Sequence, residues 1–170
     1  MKEFAYSVYL SEIVFQVKIA QQAASRLPVD PGNFDHIEVW CSIQSILGAT
    51  ANVSKILWPS SKKSQERGEE LRELLGIDEN SIIADRDIRN HFEHYDERIE
   101  RLFQGKSSVS FIDLAFNPFK PQKWETPKYY QRAYNQVDRI VTFQNETLDL
   151  KEVLIALENI KIKCSAYVLM

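Results

Sequence analysis

Residues 85–103, reading DRDIRNHFEHYDERIERLF, hold the chain's densest set of side chains able to do chemistry near neutral pH. Two of the three histidines, His91 and His94, fall here among four arginines (Arg86, Arg89, Arg98, Arg101) and acids from Asp85 to Glu100. Histidine's unperturbed pKa lets it give and take a proton at neutral pH, and a guanidinium offers a planar fork to anionic oxygens. Lys and Glu build a plain surface helix better, so the histidines call for another explanation. Arg89 is followed by Asn90 and, after three more residues, by His94, giving R-N-x-x-x-H with Tyr95 next to it. Arg86 and His91 repeat the spacing three residues earlier without the Asn and rank second.

The element that must position these residues is a helix, because Ile88, Phe92, Tyr95, Ile99 and Leu102 recur at steps of four and three and draw one apolar stripe. Three helices are expected before it. The first, over residues 2–27, carries Phe4, Val8, Ile13, Val14, Val17, Ile19 and Ala20 and ends at Pro28 and Pro31-Gly32. The second, over 35–57, is apolar over a broad arc and therefore largely buried; Gly48, Ala49 and Ala51 thin it enough for a neighbouring helix or a partner chain to come close. A shorter one, over 62–75, is heavily charged, closes on Gly76, and reads as a solvated face of weak ion pairs. Asp78 or Asn80 is positioned to cap the helix of the motif.

Residues 107–148 differ: Val109, Phe111, Ile112 and Leu114 are strand-like, prolines interrupt, and residues 139–148 suggest a second strand or hairpin. Asp149 with Glu152 resembles a capping box that opens a final helix through Leu157 and Ile160. The expectation is a mainly all-α single domain over residues 1–170, an antiparallel bundle of about five helices with a small irregular or β-hairpin excursion near 107–148.

Composition sets limits on this. With 170 residues, 44% apolar and a formal charge of −3, one sizeable core is expected and no broad basic field that would bind nucleic acid indiscriminately. The N-terminal residues do not read as a signal peptide and no stretch is long enough to span a bilayer, so a cytoplasmic protein without membrane contact is expected. Cys41 and Cys164 sit in helical apolar patterns and read as buried free thiols; with the histidines they lack the paired spacing of a zinc site, and no metal or cofactor is expected. His36 reads as a surface or capping residue.

The R-N-x-x-x-H run at Arg89, Asn90 and His94 resembles the R-x4-6-H motif of the HEPN superfamily, compact helical domains in which a polar residue follows the Arg. Some members place a Tyr two residues after the His; here Tyr95 follows His94 directly and position 96 is Asp. The resemblance implies metal-independent RNA cleavage or, in inactive members, RNA or nucleotide binding, often in defence or toxin–antitoxin systems with an antitoxin protein as partner. In such a reaction His94 would move the 2′-hydroxyl proton, Arg89 would hold the phosphoryl oxygens by paired charge-assisted bonds, and Asn90 would orient phosphate or imidazole. Five residues at about 100° each set Arg89 and His94 about 140° apart on an ideal helix. The homodimers frequent in the superfamily would let two copies of the motif converge, and a homodimer is expected here.

Two other readings stand beside this one. The charged helix 85–103 would also serve as a non-catalytic protein-interaction surface, and Arg89, four residues before Glu93, would pair along the helix with no function at all. A weaker RNA-binding candidate is the segment in which Lys120, Lys123, Lys128 and Arg132 interleave with Trp124, Tyr129 and Tyr130, since bases stack on aromatics while cations hold phosphates.

Overall fold

The computed structural model describes residues 2–29, 34–85, 95–104, 110–118, 128–144 and 146–168. By contact the chain divides into two compact units. The first contains helices α1 (Lys2–Ala24), α2 (His36–Leu57) and α3 (Lys62–Leu75), a 3-10 turn at Ile82–Ala84, and the final helix α5 (Leu150–Cys164) from Glu152 onward. The second contains α4 (Tyr95–Phe103) and six strands: β1 (Ser110–Ile112), β2 (Ala115–Phe116), β3 (Lys128–Tyr130), β4 (Arg132–Asn135), β5 (Ile140–Phe143) and β6 (Glu146–Asp149).

In the first unit, α1 buries Leu10, Ile13, Val17, Ala20 and Ala23, a stripe at helical spacing, and lies against α2, which buries Val39, Ile43, Ile46, Val53 and Leu57 among others. The apolar positions expected on α1 include two that face water: Phe4 and Val8 are exposed, as is Phe15. Apolar residues surround this helix, so a list of them does not single out the buried side. Asp35 caps α2 by accepting from the Ile37 and Glu38 N–H groups at 2.8 and 3.3 Å. Nothing comes within 4 Å of a Cβ built at Gly48.

Helix α3 has a more particular role than its charge pattern suggests. Arg67 Nη2 donates to the Lys55 and Ile56 carbonyls, both at 3.3 Å, and Arg72 Nη1 to the Leu57 carbonyl at 2.5 Å. Two cations thus satisfy the last carbonyls of α2, where the helix dipole is negative. The Arg67 guanidinium also sits 4.6 Å from the centre of the Tyr9 ring, and that of Arg72 5.6 Å from Trp58. Gly76 closes α3 in the left-handed region at φ 56°, its N–H bonded to the Glu73 carbonyl and that of Ile77 to Arg72. Lys163 of α5 donates to the Gly76 carbonyl at 2.5 Å. Asp78 and Asn80 do not cap a long helix: Ser81 Oγ instead accepts from Ile83 in the 3-10 turn, and Asp85 is extended.

The second unit overturns the expectation of an all-α five-helix bundle. The chain is mainly helical, but β2-β4-β5-β6 form a four-stranded mixed sheet, with β2 parallel to β4 and the other neighbours antiparallel, and β1 pairs β3 in a separate parallel ribbon. The physical reason lies in Arg132–Asn135 and Ile140–Phe143, where β-branched and aromatic residues bury Ala133, Tyr134 and Val141 across the β4–β5 hairpin. Asn135 turns that hairpin by accepting from the Asp138 N–H at 3.0 Å, and Arg139 completes it at φ 57°. Asp149 accepts from the Lys151 N–H at 2.7 Å where β6 passes into α5.

The two cysteines also differ: Cys164 is buried, but Cys41 is exposed, because it falls on the outer side of α2 beside buried Trp40 and Ser42. Both are free thiols.

Candidate nucleic-acid interface

Arg86, Arg89, Asn90, His91 and His94 lie outside the described residues, as do Lys120, Lys123 and Trp124. Tyr95 is the first described residue of α4, and along that helix Asp96, Glu97 and Glu100 are exposed while Ile99 is half-buried. Lys128 and Tyr130 fall on β3, which pairs in parallel with β1 so that Ser110, Phe111 and Ile112 stand beside Lys128, Tyr129 and Tyr130.

That register places two aromatic rings side by side. Phe111 and Tyr129 are direct cross-strand partners; their ring centres lie 6.3 Å apart and the rings are inclined by only 18°. Phe103, at the end of α4, adds a third ring 6.2 Å from Phe111. Rings normally bury most of their area, yet Phe103 is 67% exposed and Phe111 46%. Alternation along a strand directs Tyr130 to the other face of the ribbon from Tyr129. Of the rings in this group the sequence reading named Tyr129 and Tyr130 but not Phe103 or Phe111 as RNA-binding candidates; the signal that could have drawn attention to those two is an apolar aromatic at the end of one element and another in the middle of the next.

Polar contacts fix the backbone that follows β1 and β3. Asp113 accepts from Arg132 through Nε at 2.8 Å and Nη2 at 2.5 Å, and from the Leu114 N–H at 2.8 Å. The Arg132 bond holds the Asp113 carboxyl below its usual range against the opposing effect of burial, and Asp113 raises the Arg132 guanidinium in return. Leu114 takes φ 55° and Asn117 φ 45° as the chain turns from β1 into and out of β2. Asn117 Oδ1 accepts from the Gln136 N–H at 2.8 Å, and Gln136 Nε2 donates to the Pro28 carbonyl at 3.2 Å. Tyr134 is fully buried and its hydroxyl finds no partner among the described residues; burial pushes the phenol up while the charge of Arg139 pulls it down.

Among the described residues no three His, Cys, Asp or Glu side chains gather as a metal ion would require, and no helix is long and apolar enough to cross a membrane. No protein-family model, curated protein or solved structure matches the chain.

Proposed function

We propose that this chain binds RNA as HEPN-like proteins do and cleaves it without a metal through Arg89, Asn90 and His94. The observation that carries the reading is the R-N-x-x-x-H run itself. The mixed sheet removes the architectural part of the resemblance, which leaves the motif as its support. In the proposed reaction His94 takes the proton of a 2′-hydroxyl as that oxygen attacks the adjacent phosphorus, Arg89 holds the phosphoryl oxygens as charge gathers on them, and the bond to the 5′-oxygen breaks as that oxygen takes a proton from water. One product then ends in a 2′,3′-cyclic phosphate and the other in a 5′-hydroxyl. A homodimer, in which two motifs share one cleft, would bring Arg89 of one copy to His94 of the other where an ideal helix would hold them about 140° apart in one chain, and a toxin–antitoxin or defence setting in the cytoplasm fits such an activity.

A second reading takes its support from the exposed carboxylates of Asp96 and Glu100, which would repel a phosphate backbone close to them. In that case the charged segment 85–103 is a protein-binding surface without catalysis, and an antitoxin or other protein is its partner. End-group analysis separates the two. Fragments with 2′,3′-cyclic phosphate termini, absent for His94→Ala, support cleavage by the motif. Intact RNA, together with a change of oligomeric state or partner capture in Glu97→Lys/Glu100→Lys, supports the interaction surface.

A further inference from the structure

We draw no further inference here: the strongest candidate, the exposed apolar patch of Phe4, Val8 and Phe15 on the outer side of helix α1, carries nothing because nothing in the structure shows what covers it.

Discussion

Replacing Gly68 with Ala in α3 should destabilise the protein, although helix propensity predicts the reverse. Ala is favoured over Gly in a helix interior by about 1 kcal/mol. At Gly68, however, a Cβ would meet Pro59 Cδ at 2.5 Å and the Leu57 carbonyl oxygen at 2.8 Å. Neither neighbour yields readily: one belongs to a proline ring, and the other is a backbone carbonyl that also accepts from Arg72. Overpacking of this kind costs about 1–3 kcal/mol. After the propensity gain the expected net loss is up to about 2 kcal/mol, or up to about 8 °C in Tm for a chain of this size. Gly48→Ala supplies the control, because nothing stands within 4 Å of its Cβ and the site is exposed. It should gain about 0.5–1 kcal/mol from propensity alone. Thermal unfolding of the two variants beside wild type, followed by circular dichroism at 222 nm, reads both shifts. Stabilisation by both substitutions would refute the close packing of α3 on the turn at Trp58 and Pro59.

Titration of the ion pair gives a second expectation. Asp113 has its carboxyl lowered by Arg132, so its contribution to stability is complete above the ordinary carboxylate range and is lost as pH falls through the lower folded value. Arg132→Leu should therefore lower Tm at pH 6 and flatten the decline in Tm expected of wild type below about pH 4; identical acid profiles would contradict the pairing. Thiol chemistry gives a third. Burial pushes Cys164 up to about 12, whereas Cys41 is exposed, so a disulfide reagent should modify one thiol promptly in the native protein and the second only after denaturation. Cys41→Ser should remove the prompt reaction, and two prompt equivalents would contradict the burial of Cys164.

Much of the helical half could be read from the chain because its signals are local. Asp35 as a cap, the break at Trp58-Pro59 and Gly76 at φ 56° each act on residues within one turn, and the ends of α2 and α3 follow from them. The β unit could not be read in the same way. Its strands are two to four residues long, so alternation hardly has room to appear, and the parallel pairings of β1 with β3 and β2 with β4 join residues about 18 positions apart. The aromatic row has the same origin: Phe111 and Tyr129 become neighbours only through register. Arg67 and Arg72 looked like surface charge because their partners are carbonyls of another helix, which side-chain charge patterns do not reveal. The R-N-x-x-x-H motif is legible as a motif, but its Arg89, Asn90 and His94 lie outside the described residues.

The most direct measurement is cleavage of a mixed RNA pool by the purified protein in excess EDTA, beside His94→Ala and Arg89→Ala prepared to the same purity. The account predicts cleavage by wild type that both substitutions abolish, with unfolding temperatures unchanged. An inactive wild type, or variants that cut as well as it does, would contradict the role given to His94 and Arg89 and leave the charged helix as a binding surface.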